Sequence, residues 1–117
     1  MNDITIDNVL EIPYEDLHKY VFGLVEVHVD YLSIDQDKFT YLLGYYPAIY
    51  NYLSELYAFL INQVRVQMEL NDKFTVARYR DKRDMLEQAL KSVKFQYDSL
   101  SRKITLLAPN LSRGDEF

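Results

Sequence analysis

Basic side chains in the second half of the chain are the residues whose type and spacing best suit a binding chemistry. Four of them fall close to one stripe of the helix predicted there: Arg80, Arg83, Lys91 and Lys94. Such a stripe can follow a phosphate backbone, and Tyr79 and Phe95 can offer aromatic faces on which bases stack. The predicted nucleic-acid contacts are Arg65, Lys73, Arg78, Tyr79, Arg80, Lys82, Arg83, Lys91 and Lys94.

Charge is distributed very unevenly along the chain. Residues 1–61 contain two basic and ten acidic side chains, whereas residues 62–113 contain eleven basic and six acidic ones. An asymmetry this large favours one face for an anionic partner, although the whole chain has a net charge of −5. The alternative is that the two halves neutralise each other across an antiparallel hairpin or a subunit contact, and charge alone does not decide between the two.

Side chains suited to catalysis or metal binding are few. The chain has no cysteine and three glycines, which excludes a thiolate site and leaves no Gly-rich loop for a phosphate. A helix would not place His18 and His28 on one face, and the mixed charges of residues 81–87 are typical of a solvated helix surface. We therefore expect no catalytic residue, no metal and no cofactor, and predict a binding or assembly protein rather than an enzyme.

The sequence also predicts a soluble protein of the cytoplasm. Its longest apolar run, residues 56–61, is far shorter than the roughly 18 residues that a membrane span needs. The absence of cysteine suits a reducing compartment, and the first residues lack the basic start of a signal peptide. No membrane partner is expected.

Tyrosine is concentrated in the acidic half. Nine of the eleven tyrosines lie within residues 14–57. Because tyrosine buries its ring while its hydroxyl stays polar, this density predicts a packing surface or a subunit interface. Base stacking is less favoured at these rings, since phosphates would be repelled by the surrounding carboxylates.

Sequence patterns predict two helices between residues 34 and 69. Ile49, Leu53, Leu56 and the apolar residues after them step by four and three, which indicates an amphipathic helix over about 47–69. Pro47 suits its first turn and Gly44 suits the end of a preceding element. That element is predicted as a short helix over 34–43, begun by a capping box at Ser33.

A turn over 69–75, with an N-cap at Asp72 or Thr75, is predicted to lead into a long helix over about 76–107. Its apolar residues repeat in heptads and form a seam along the helix. The helix is too long to be covered by one neighbouring helix of under 25 residues, so other subunits are expected to cover the seam. The predicted oligomer interface consists of Leu86, Leu90, Val93, Tyr97, Leu100 and Ile104. Pro109 is expected to end the helix.

These elements define the expected organisation. Residues 1–32 form an acidic segment in which helix is weakly favoured over strand, residues 33–108 form a helical domain, and residues 109–117 form a flexible tail. The predicted fold class is all-α, a helical hairpin with a long, coiled-coil-like C-terminal helix, and oligomeric.

Three short segments together resemble a known family. They are Ile34-Asp35 followed by Phe39, the run Pro47-Ala48-Ile49-Tyr50-Asn51-Tyr52-Leu53, and the run Arg80-Asp81-Lys82-Arg83-Asp84-Met85-Leu86 with the heptads that follow it. Over residues 34–107 the chain is similar to the UvsY-type recombination mediator proteins of tailed phages. The resemblance implies an oligomeric ring of helical subunits in the host-cell cytoplasm. Such a ring binds single-stranded DNA, helps to remove the single-strand-binding protein, loads a RecA-like recombinase and so serves recombination and DNA repair.

A second hypothesis remains open. The chain could instead be a phage assembly or host-takeover protein, in which the acidic, Tyr-rich half docks on another protein and the basic stripe only offsets its charge. Binding to a labelled oligonucleotide distinguishes the two hypotheses.

Overall fold

A computed structural model describes residues 3–26 and 36–116, with side chains described as far as residue 102. Three helices make up most of it: α1 (Tyr14–Val25), α2 (Gln36–Glu69) and α3 (Lys73–Glu116). Helices α2 and α3 form a hairpin, and α1 packs mainly against α3. These residues contain no strand, which confirms the all-α prediction. None of their helices is both long and apolar enough to cross a membrane.

The chain before α1 is a compact run of turns. The side-chain oxygen of Asn8 accepts a hydrogen bond from the Thr5 amide, and its amide group donates to the Asp3 carbonyl. These bonds allow Ile4 and Val9 to be buried. Acidic residues in the first turn of α1 suit the positive end of the helix dipole. The helical alternative is thus confirmed for residues 14–25, while the strand alternative around residue 28 and the capping box at Ser33 lie outside the described residues.

Helix α2 is one continuous helix, so the predicted break between Gly44 and Pro47 is wrong. It runs from Gln36 to Glu69 with Pro47 in its interior. Proline removes one backbone hydrogen bond from a helix, but packing of the surrounding turns can offset that loss. Leu42 and Tyr46 before the proline, and Leu53 after it, are all buried in the same core.

The turn between α2 and α3 confirms the prediction from the sequence. Asn71 adopts a left-handed conformation with φ 61°, and the Asp72 amide donates to the Gln67 carbonyl at 3.2 Å, an arrangement that ends a helix. The Asp72 carboxylate then accepts the Thr75 amide at 3.1 Å and the Thr75 hydroxyl at 2.8 Å. These hydrogen bonds lower the pKa of Asp72, and they identify Asp72 as the N-cap of α3.

One apolar core joins the three helices and the N-terminal turns. The α3 members of the predicted seam that are buried in it are Leu86, Leu90, Val93 and Leu100, with Tyr97 packed against it. The length argument for an intermolecular seam is therefore wrong. It assumed a neighbour of under 25 residues, whereas α2 has 34 and α1 covers α3 as well. Self-association stays a prediction, and the side chain of Ile104 lies outside the described residues.

Helix α3 also extends further than predicted. It ends at Glu116, beyond Pro109, so the expected helix end before this proline is wrong. A proline can kink a helix without ending it, because only one backbone hydrogen bond is lost at that point.

Candidate nucleic-acid interface

Among the described side chains, the basic residues of α3 form one edge and a separate pair, Arg78 and Lys82. Successive residues of a helix are rotated by about 100°, so the edge occupies a sector of about 100° around α3. We call it the basic edge, and it consists of Lys73, Arg80, Arg83, Lys91, Lys94 and Arg102. All are exposed except Arg83, which is partly exposed. The predicted stripe thus exists on one face of the structure, and Arg102 extends it.

Three carboxylates lie among the cations of the basic edge. The Arg83 guanidinium contacts the Asp84 carboxylate at 2.8 Å, and Lys91 contacts Glu87 at 3.6 Å one turn away. Asp98 is the third carboxylate. Ion pairs exposed in this way stabilise a protein by only about 0–1 kcal/mol, so their cations can exchange a carboxylate for a phosphate.

Lys82 does not belong to this surface, and its predicted role in binding phosphates is wrong. Its side chain is 2% exposed, and its ammonium donates hydrogen bonds to the Val9 carbonyl at 3.1 Å and the Leu10 carbonyl at 2.9 Å. Burial, followed by the charge of nearby Arg78, lowers the pKa of Lys82. The Lys82 ammonium therefore binds the N-terminal turns to α3 and cannot contact a DNA phosphate.

The remaining predicted contacts lie in several places. Arg78 is exposed but lies on the Lys82 side of α3, and Tyr79 is half-buried. Arg65, on α2, donates to the Asn62 side chain at 2.8 Å. Lys73 and Arg80 line a hollow at the turn end of the hairpin, where the Arg80 guanidinium contacts the Met68 sulfur at 3.7 Å.

An aromatic groove between α2 and α3 adjoins the basic edge at Lys94. It has a volume of about 390 Å³. The lining residues relevant to binding are Pro47, Tyr50 and Asn51 on α2, with Lys94, Tyr97 and Asp98 on α3. The structure thereby brings Tyr50, from the acidic half of the sequence, beside Lys94. Phe95, the residue after Lys94, is 70% exposed.

Most tyrosines of the acidic half serve packing within the chain. Tyr46 is buried, the Tyr45 hydroxyl donates to the Leu24 carbonyl at 2.6 Å, and the Tyr52 hydroxyl donates to the Ile4 carbonyl. Burial raises the pKa of Tyr45 and, with help from Tyr20, that of Tyr52. The packing prediction is confirmed for these rings.

The chemistry of the described residues outside these surfaces is sparse. His18 lies between Tyr14 and Phe22 on α1, with ring centroids 6.0 and 4.6 Å away. No group of three or more His, Asp or Glu residues in the described ranges is arranged to hold a metal ion.

Two features were not predicted from the sequence: the burial of Lys82 and the position of Tyr50 at the groove. Lys82 is four residues before Leu86 and eleven before Val93, so helical periodicity alone would have placed it on the buried face. The position of Tyr50 in the lining of the groove depends on how α2 and α3 pack together, and no local pattern in the sequence predicts it.

No protein-family model, no curated protein and no solved structure matches the chain.

Proposed function

We propose that the protein is a non-catalytic recombination mediator that binds single-stranded DNA along the basic edge of α3. The observation that supports this most strongly is the position of the edge: its exposed cations run along one side of α3, beside the aromatic groove and Phe95. Cations that follow a backbone, together with rings on which bases stack, are the usual means of holding a single strand without reading its sequence.

The acidic N-terminal residues 3–26 form no ion pair with the basic edge. Residues 3–26 contain six carboxylates and one lysine. Val9 and Leu10 contact Lys82, about 150° around α3 from the centre of the basic edge. Tyr14, at the start of α1, lines a hollow with Asp81 and Asp84. Among the described residues, the ion pairs of the basic edge are made with Asp84 and Glu87 of α3 and not with carboxylates of residues 3–26, which favours the proposal over neutralisation by the N-terminal part.

Partner proteins enter the proposal through the family resemblance. A mediator of the UvsY type acts as an oligomer, helps to displace a single-strand-binding protein and loads a RecA-like recombinase. The exposed cations of the basic edge would compete with the single-strand-binding protein for phosphates, and the carboxylates of residues 3–26 would be available for protein contacts.

A charge-reversal experiment tests the proposal. A fluorescently labelled single strand is titrated with protein at about 50 mM salt, where phosphate contacts are strong. We expect the wild-type protein to bind and Arg80→Glu/Lys94→Glu to lose most of the affinity. The matched control, Lys19→Glu/Lys38→Glu, reverses two cations outside the edge and should bind like the wild type, apart from a small effect of net charge.

If the wild-type protein does not bind, or if both double variants lose affinity equally, the basic edge is not a DNA site. The hypothesis of a phage assembly or host-takeover protein, acting through its acidic half, then takes its place.

A further inference from the structure

We propose that the groove between α2 and α3 is a nucleobase subsite, which takes one base of a single strand whose phosphates lie on the basic edge. This inference rests on the proposed function and specifies how its site holds the strand. The groove would then make binding depend on bases as well as on phosphates.

The size and the lining of the groove suit a flat aromatic ring. Its volume of about 390 Å³ falls within the range of small-ligand sites. Tyr50 is 40% exposed and Tyr97, on the α3 side of the groove, is half-buried, so part of each side chain is accessible to a ligand. The Pro47 ring adds a small apolar surface, because α2 continues through this proline and exposes it at the groove.

Polar groups in the lining match the edge of a base. The Asn51 amide both donates and accepts hydrogen bonds, and the Asp98 carboxylate accepts them. Nucleobases present donors and acceptors side by side, so these two side chains can pair with a base edge.

Lys94 gives the groove a cation for a phosphate, and the Asp98 carboxylate lies in the same lining. Lys94 lies in the lining of the groove, and Lys91, one turn earlier on α3, belongs to the same basic edge. A phosphate bound by Lys94 would place its attached base at the mouth of the groove. The aromatic lining and the cation thus fit the two parts of one nucleotide.

An abasic strand provides the test. Affinity is measured by fluorescence anisotropy for a short oligothymidylate and for an abasic strand of equal length, which has the same phosphates and no bases. We expect Tyr50→Ala to weaken binding of oligothymidylate by about 5- to 150-fold, as is typical of losing one base stack, and to leave the abasic strand unaffected. Tyr41→Ala, which removes a 63% exposed tyrosine of the same helix outside the groove, should change neither affinity.

The outcomes separate the inference from the proposed function. If wild-type protein binds both strands equally, the basic edge is a DNA site but the groove holds no base. If Tyr50→Ala weakens both strands alike, Tyr50 acts on the structure and not on a base. If neither strand binds at low salt, the proposed function fails and the inference fails with it.

A second variant and a second measurement guard against a folding defect. Tyr50→Leu keeps an apolar side chain but lacks the ring, so it should lose oligothymidylate affinity as Tyr50→Ala does. In nuclear magnetic resonance spectra, oligothymidylate should shift the amide signals of Asn51 and Lys94, and the abasic strand should leave Asn51 unshifted. Wild-type affinity of Tyr50→Leu, or equal shifts with both strands, would overturn the inference.

Discussion

At the scale of single residues, similar side chains in one short run have different roles. Arg80, Lys82 and Arg83 are close in sequence, yet Lys82 is buried against two carbonyls while Arg80 is exposed and Arg83 partly so. Charge spacing therefore predicted most of the basic edge but assigned Lys82 wrongly. Its role depends on carbonyls of Val9 and Leu10, more than 70 residues away along the chain.

Replacing Lys82 should lower stability and leave DNA affinity unchanged. In Lys82→Met the buried carbonyl of Val9 and the part-buried carbonyl of Leu10 lose their donor, which costs about 1–3 kcal/mol in the free energy of unfolding. The matched control Arg80→Met changes an exposed cation and should remain within about 0.5 kcal/mol of the wild type. Urea unfolding measures both variants. Equal stabilities of the two would contradict the role of Lys82.

The protein should become less stable at alkaline pH because of Tyr52. Its hydroxyl donates to the Ile4 carbonyl, which a phenolate cannot do. Burial raises the pKa of Tyr52 above the ordinary value of 10.0. The folded state holds this proton more tightly than the unfolded state. The contribution of the Tyr52 hydroxyl to the free energy of unfolding is therefore complete below pH 10 and is lost as the pH rises above it.

Urea unfolding between about pH 8 and pH 11 tests this expectation. Tyr52→Phe should be less stable at pH 8 and should lose less stability on the way to pH 11 than the wild type. An unchanged pH dependence in Tyr52→Phe would count against this hydrogen bond.

At the scale of elements, local signals predicted the helical character and the connecting turn. The turn residues Asn71 and Asp72 act through bonds within a few positions of the chain, so their sequence was sufficient. Gly44 and Pro47 also look like local stop signals, yet α2 continues through them because buried residues on both sides belong to one core. Packing between distant segments, which is not readable from local spacing, decided that outcome.

Gly44→Ala tests whether α2 is continuous. Gly44 lies inside the helix, has no positive φ, and an added Cβ would meet no atom within 4 Å. Alanine should therefore stabilise the protein by about 0.4–1 kcal/mol, measured by thermal unfolding. Gly23→Ala in α1, where the Cβ also meets nothing, should give a similar gain. A loss in Gly44→Ala alone would indicate that the helix ends there.

The seam of α3 should stabilise the single chain. Leu86 is fully buried in the shared core, so Leu86→Ala should lower the free energy of unfolding by about 2–5 kcal/mol. Phe95→Ala removes a larger side chain from the exposed side of the same helix and should have a much smaller effect. Guanidinium unfolding compares the two, and similar losses would mean that the buried face of α3 has been misassigned.

At the scale of the whole molecule, the proposal includes self-association. The described core closes within one chain, so assembly would rest on surfaces other than the Leu86–Leu100 seam. We expect light scattering after size exclusion to give a mass that is a multiple of 13.9 kDa, both for the wild type and for Arg80→Gln/Lys94→Gln. A monomer at a protein concentration of tens of micromolar would contradict self-association. DNA binding is tested separately and would not be affected by that result.

The salt dependence of DNA binding is the most direct test of the proposed function, because the basic edge would bind the strand through its phosphates. Each phosphate neutralised on a single strand contributes about −0.7 to the slope of log K against log salt. With four to six residues of the basic edge engaged, the wild-type slope should be about −3 to −4. The control Lys19→Gln/Lys38→Gln removes two cations outside the edge and should preserve that slope.

The decisive measurement is the slope for Arg80→Gln/Lys94→Gln, taken from anisotropy titrations at several salt concentrations. Removing two phosphate contacts should make the slope less steep by about 1.4 while the fold and the mass of the particle stay the same. An unchanged slope, or an equal change in Lys19→Gln/Lys38→Gln, would contradict DNA binding along the basic edge of α3.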